Sequence, residues 1–270
     1  LRKIFLLPSV GSKGFLVHKA DRSVGGLVVQ QQCCGPLQLP VADAGVVAQS
    51  YFGLTGGATS IGEQPIKMLV DIRAGARMAV GEAVTNLAGV RISDLKDVKC
   101  SVNWMWAAKL HGEGADIYDA ARALAELMIE LGIAADGGKD SLSMAAQVGD
   151  TTVKAPGQVV VSCYAPVPDI TKIVTPDLKF PGESRLMLLD LGEGKNRLGG
   201  SALAQAHGQI GNESPDVNSH LLKCGFLAVQ RLIQRGLISS IHDRSDGGLI
   251  TTLVEMAMAG DCGIEIEMGY

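Results

Sequence analysis

Carboxylates, amides and glycines carry most of the chemistry that this sequence offers. Asp43 stands inside the apolar run Val41-Ala42-Asp43-Ala44-Gly45-Val46-Val47-Ala48. A carboxylate in a strand that should be buried needs a partner, and either a cation or a backbone or arginine donor would serve. Glu82 and Asn86 are spaced i, i+4. That puts them on one side of a helix, about 280° and 320° round from Ile72, at the margin of its apolar stripe. Oxygen ligands at such a boundary suit a hard cation such as Mg²⁺; two ordinary edge residues are the plainer alternative.

Three glycine-bearing strings are candidates for holding phosphate. In Asp136-Gly137-Gly138-Lys139-Asp140-Ser141, adjacent glycines would let backbone N–H groups converge on an anion, with Lys139 adding charge and Ser141 a hydroxyl. It is not a Walker A loop, because Ile133 and Asp140 stand where that motif needs Gly and Ser or Thr. A tight turn with a solvated lysine would also account for it. Asp21-Arg22-Ser23-Val24-Gly25-Gly26-Leu27 and Asp243-Arg244-Ser245-Asp246-Gly247-Gly248-Leu249 are nearly the same string. The later copy opens a helix, whose free N–H groups face the loop. Asp243 or Asp246 could cap that helix or bind a metal.

The elements that must position these residues follow from periodicity. Short strands are expected at 24–30 and 39–49, then a Gly-rich loop at 56–62. A helix capped by Asp71 runs to Ala88 with the stripe Ile72, Ala76, Ala79, Val80, Ala83, Leu87. A strand at 97–106 carries Trp104 and Trp106 as packing residues. A second helix, capped by Asp116 and closed by Gly132, has the stripe Ile117, Ala120, Ala121, Leu124, Leu127, Met128, Leu131. Strands at 133–135, 143–148 and 158–165 flank a loop at 136–142. Prolines 166, 168, 176 and 181 mark a linker over 168–184, separating a domain at 1–167 from a second at 185–270. In the latter, strands at 185–190, ending at Ile241, and at 264–268 alternate with helices near 200–209, 217–235 and 249–259.

The chain has 270 residues, 47% hydrophobic and 19% charged, which excludes a disordered polymer. Its 34 glycines exceed the usual share of about 7%, and they lack a collagen period. A net charge of -4 leaves no basic footprint for nucleic acid or an anionic membrane, and no apolar run reaches the roughly 18 residues of a membrane span. Six cysteines without a Cys-x-x-Cys pair fit reduced thiols in the cytoplasm. Five scattered histidines, His242 among them, show no ligand spacing, so zinc chemistry is not expected. The chain opens on Leu1 and closes in a strand-like run, and the expectation is an internal segment of a longer polypeptide.

Several longer strings resemble phosphoribosylformylglycinamidine synthase of the large single-chain type. They are Gly137-Gly138-Lys139-Asp140-Ser141-Leu142-Ser143-Met144, His242 to Leu249, Asp21 to Leu27, Gly81-Glu82-Ala83-Val84-Thr85-Asn86, and Val102-Asn103-Trp104-Met105-Trp106-Ala107-Ala108-Lys109. The resemblance implies an α+β fold of the aminoimidazole-ribonucleotide-synthetase type, a mixed-sheet domain followed by part of an α/β domain, from the second half of a duplicated synthase core. It implies a purine-pathway ligase in which ATP activates formylglycinamide ribonucleotide as an iminophosphate. Ammonia from a separate glutaminase, absent here, then displaces phosphate. The partners implied are these small molecules and the remaining domains of the parent chain, in the cytoplasm.

Residue by residue, Asp43, Glu82, Asn86 and Asp243 resemble the family's Mg²⁺ ligands, and Ala42 and Ser245 its ATP or ADP contacts. The resemblance implies that this set frames an auxiliary site that retains nucleotide without turning it over. Gly137, Gly138, Lys139, Asp140 and Ser141 would then hold substrate or nucleotide phosphate at the turnover site. The alternative is a structural nucleotide-binding scaffold with no turnover of its own.

Overall fold

A run of alternating small and apolar residues builds the centre of the molecule. The computed structural model describes residues 1–18 and 26–267; the expectations for Asp21 to Gly25 lie outside them. Short helices α1 (Arg2–Phe5) and α2 (Gly14–Val17) precede strands β1 (Val28–Gln30), β2 (Gly45–Ala48) and β3 (Gly56–Glu63). Helices α3 (Pro65–Val70) and α4 (Ile72–Leu87), strand β4 (Lys99–Met105) and helix α5 (Glu113–Leu131) follow, then strands β5 (Ala134–Ser141), β6 (Ala145–Val148), β7 (Thr151–Lys154) and β8 (Gln158–Val167). Helices α6 (Ala202–Ala206), α7 (Ser219–Gln234) and α8 (Gly248–Ala259) complete the described elements.

The main sheet has the order β1-β2-β3-β8-β4-β5, antiparallel except for the parallel pair β4–β5. That pair needs a crossover, which α5 provides; β6 and β7 form a separate hairpin. Residues expected as a Gly-rich loop, Gly56 to Gly62, are instead the long strand β3. Its glycines serve close packing rather than a turn. A Cβ on Gly62 would lie 2.1 Å from the Ala79 carbonyl oxygen, and one on Gly56 2.5 Å from that of Val47.

Helix α4 begins where Asp71 accepts a hydrogen bond from the Ala74 N–H at 2.9 Å, the expected N-cap. Its stripe is buried: Ala76, Ala79, Val80, Ala83 and Leu87 lose all contact with solvent. Burying the larger of these side chains contributes roughly 1.5–3 kcal/mol each. Helix α5 starts three residues before the expected cap. Gly112, with φ of 85°, precedes it, and Asp116 lies in the first turn, where its charge favours the helix N-terminus. Gly132 closes α5 in the left-handed conformation, as expected.

One face of the sheet packs on α4 and α5. The other leaves Val47, Ile61 and Tyr164 at 53%, 56% and 39% exposure.

Residues 168–178 are hydrogen-bonded on both sides. Val174 N–H donates to Gly89 O at 2.8 Å, Ile170 N–H to Leu54 O at 2.8 Å, and Leu178 N–H to Met256 O at 3.1 Å. The chain beyond is joined to α4 by two further devices. Arg77 grips Asp216 through Nε and Nη2 at 2.7 and 2.6 Å. Buried Gln230 of α7 accepts from Ile92 N–H at 3.0 Å and donates to Ala88 O and Val90 O at 3.0 and 2.9 Å. The helices expected near 217–235 and 249–259 are α7 and α8, and the one near 200–209 shortens to α6. The strands expected at 185–190, ending at Ile241, and at 264–267 are irregular chain. No neighbouring strand among the described residues takes up their backbone groups, and a strand without a ladder has no means of satisfying them.

Candidate functional site

The loop before β2, the turn after Ile241 and the outer face of α4 converge at the junction with α8. Asp43 and Asp243 arrive from opposite ends of the sequence, and His242 joins them. One ligand atom from each of Asp43, His242 and Asp243 lies within 4.8 Å of the others. His242, with its side chain 6% exposed, donates from Nδ1 to Asp43 Oδ1 at 2.7 Å and from Nε2 to Glu255 Oε2 of α8 at 3.1 Å. Thr252, one turn into α8, donates its hydroxyl to the Asp243 carbonyl at 3.2 Å.

Glu82 is reached from β3 and its exit. Its Oε2 accepts from the Glu63 N–H at 2.6 Å and from Gln64 Nε2 at 2.9 Å. Gln64 in turn accepts from Lys67, whose Nζ lies 3.7 Å from Asp246 Oδ1. One turn further along α4, Asn86 donates to Ile61 O at 2.9 Å. Asn86, Ala42 and Asp43 line a single cleft walled by Val90, Val174 and Pro176. Ser245 is exposed at the mouth of the turn, its carbonyl accepting from the Gly248 N–H at 3.0 Å.

The electrostatics are those of crowded acids. Burial pushes the Asp43 carboxyl up, opposed by the hydrogen bond from His242. Burial, then the charge of Asp43, pushes Asp243 up to about 8, with Glu82 and Glu255 adding to the rise. Burial likewise takes Glu82 to about 7 against the hydrogen bonds from Glu63 and Gln64. Burial disfavours a charged His242, but its bonds to Asp43 and Glu255 outweigh this and raise it to about 10. Several buried carboxylates around one cationic ring form a site short of positive charge. Their oxygens fit a hard divalent cation, which takes carboxylate and amide ligands.

The string Gly137 to Ser141 is elsewhere. Residues 134–141 are β5, the edge strand at the far end of the sheet from β1 and β2. The expected loop is therefore a strand, and the reason is its pairing. Ser101 faces Gly137 after a register shift that leaves Asp136 as a bulge. A Cβ on Gly138 would lie 2.0 Å from the Val102 carbonyl oxygen. Lys139 and Asp140 are exposed there. Among residues passed over in the sequence, His242 and Glu255 stand out. The scattered histidines gave His242 no ligand spacing and no local pattern marked Glu255, although His242 directly precedes Asp243 in a string already singled out.

This architecture is of a kind shared with AIR synthase related proteins, and the pattern of their C-terminal domain matches residues 183–269. The chain belongs to the FGAR-AT PurM_N-like domain family, whose pattern matches residues 12–166, more than half of its length. It is 58% identical over 270 residues to the probable phosphoribosylformylglycinamidine synthase, chloroplastic/mitochondrial, of Arabidopsis thaliana. It is 55% identical over 271 residues to the phosphoribosylformylglycinamidine synthase of Homo sapiens. The matches cover 99% of this chain but only 19% and 20% of those relatives, so it spans about a fifth of their length.

In fold it is similar to a T. maritima PurL complexed with FGAR, with TM-score 0.60 and 14% identity over 85% of this chain and 35% of that one. It is also similar to AaThiL complexed with AMPPCP and TMP, with TM-score 0.55 and 13% identity over 94% and 72%. The expected α+β class holds. No helix among the described residues is long and apolar enough to cross a membrane.

Proposed function

We propose that the chain is the Mg-nucleotide-binding part of a phosphoribosylformylglycinamidine synthase. That enzyme would be an ATP-dependent C–N ligase converting formylglycinamide ribonucleotide, ATP and glutamine to formylglycinamidine ribonucleotide, ADP, phosphate and glutamate. The observation that carries this reading is the meeting of Asp43 and Asp243 from opposite ends of the sequence. Asn86 lines the same cleft as Asp43, and the charge of Glu82 acts on Asp243. Magnesium, when bound, would neutralise these carboxylates and the nucleotide phosphates together. The chain's own part is to hold it. Asp43, Glu82, Asn86 and Asp243 supply oxygens, and Ala42 contacts the nucleotide. Ser245 and the N-terminus of α8 face anionic groups.

In this reading residues 1–167 and 185–270 are two domains of one module, and 168–184 is the strap between them. Gly137, Gly138, Lys139, Asp140 and Ser141 contribute to a separate substrate-facing surface. The six cysteines without disulfides support a cytoplasmic setting. The test is made in the complete polypeptide. Asp243→Asn should abolish Mg²⁺-dependent ADP binding at one site, measured by calorimetry. Ser141→Ala should lower amidine synthesis while glutaminase activity persists. Unchanged nucleotide binding in the Asp243 variant would remove the site. A second reading, a scaffold whose nucleotide is structural and which packs on its duplicate, is favoured by the open sheet face of Val47, Ile61 and Tyr164. Loss of stability without loss of turnover in Asp243→Asn would select it.

A further inference from the structure

Buried His242 and half-buried Glu255, with side chains 6% and 28% exposed, are polar groups of the site that the ligand set leaves unexplained. A carboxylate offers only acceptors, so a ring bonded at 2.7 Å to Asp43 and at 3.1 Å to Glu255 donates from both nitrogens. The three side chains come from the loop before β2, the turn before α8 and α8 itself, and the ring is 6% exposed. We infer that His242, anchored by Glu255, is a positioning residue that fixes the orientation of the Asp43 carboxylate toward the cation. Its Nδ1 bonds Asp43 Oδ1 at 2.7 Å, and the backbone N–H of Asp243 also donates to the Asp43 carboxylate, so the carboxylate is held from two directions beside Asp243. Glu255 prevents the ring from turning away.

A carboxylate held this way is preorganised, and losing such an outer partner typically costs about 10- to 100-fold in metal affinity. His242 itself would not be a ligand, because its Nδ1 is engaged by Asp43 and lies 3.8 Å from Asp243 Oδ1.

The inference rests on the cation reading above, and one experiment separates the two. Mn²⁺ binding to the complete polypeptide is titrated by electron paramagnetic resonance, with folding of each variant checked by thermal melting without added metal. Asp43→Asn tests the site: if it leaves every class of Mn²⁺ binding unchanged, the reading and the inference both fall. Asparagine can place an amide N–H where Nδ1 stands, whereas glutamine reaches only toward the Nε2 position. His242→Asn should therefore retain most Mn²⁺ affinity, while His242→Gln and His242→Ala lose about 10-fold or more. Glu255→Gln, which still accepts from the ring, should bind Mn²⁺ more tightly than Glu255→Ala. Wild-type affinity in His242→Ala or His242→Gln overturns the positioning role even if Asp43→Asn abolishes binding. An equal loss in His242→Asn and His242→Ala overturns it as well, and this comparison stands if the alanine variant is unstable.

Discussion

Two glycine-rich strings that look alike in sequence, 136–141 and 243–249, fold in opposite ways. The first is a paired strand at the end of the sheet, the second a turn that opens α8 beside the acid cluster. In β5 glycine answers to a neighbour: the Val102 backbone sits where a Cβ on Gly138 would go. At α8 Gly248 answers to its own dihedral, φ of 72° with nothing within 4 Å of a Cβ, while Gly247, at φ of 93°, also has the Thr251 side chain where a Cβ would go. Glycine content therefore reports that backbone is constrained, and the contacts decide whether a ladder or an anion-facing turn is the reason.

The largest effect should come from forcing a side chain into the strand. Gly138→Ala must push β5 off β4 and should cost about 3 kcal/mol or more, whereas Gly137→Ala, with open space around it, should cost about 1 kcal/mol or less. Chemical denaturation measures both, and equal costs would refute the contact explanation.

Next in size is the division of labour between the strings. In wild type, Mg-ADP at 100 times its dissociation constant should stabilise the fold by about 2.7 kcal/mol. Asp243→Asn should lose that increment and Asp140→Asn should keep it, read as shifts of the melting temperature. The reverse pattern would move the nucleotide to β5. Gly248→Ala should cost about 1–2 kcal/mol, the penalty for a left-handed residue with a Cβ; a smaller loss in the denaturation midpoint would mean that the turn relaxes.

The last effect is acid sensitivity confined to the segment that leads into α7. Burial pushes Asp216 up, but its paired bonds with Arg77 prevail and hold it below the ordinary carboxylate range. A depressed carboxyl contributes stability that is present above its unfolded pKa of about 3.9 and is lost as pH falls through the lower folded value. Hydrogen exchange below about pH 4 should therefore speed up around 214–217 before the β4–β5 edge. Asp216→Asn should remove the difference.

The helices of this fold were legible because their stripes are local. Ala76 to Leu87 and Ala120 to Leu131 bury the faces that their spacing marks out. Strand β5 was legible only at its start, in the strand expected at 133–135, and not from Asp136 on. Its partner β4 lies across a whole helix, and Gly-Gly-Lys-Asp-Ser has the composition of a turn. The ligand set shows the same divide. Asp43 announced itself as a charge in an apolar run, and the resemblance singled out Glu82, Asn86 and Asp243. His242 and Glu255 matter only through an encounter with Asp43, 199 residues from His242, which no local pattern records.

The clamp made by Gln230 has a consequence of its own. It addresses the backbone at Ala88, Val90 and Ile92 and none of their side chains. The end of the helix bearing Glu82 and Asn86 is thus secured through backbone groups that any residue supplies, proline at position 92 excepted. Sequence drift there leaves the clamp intact. Replacing one amide, Gln230, strands three buried backbone groups at once.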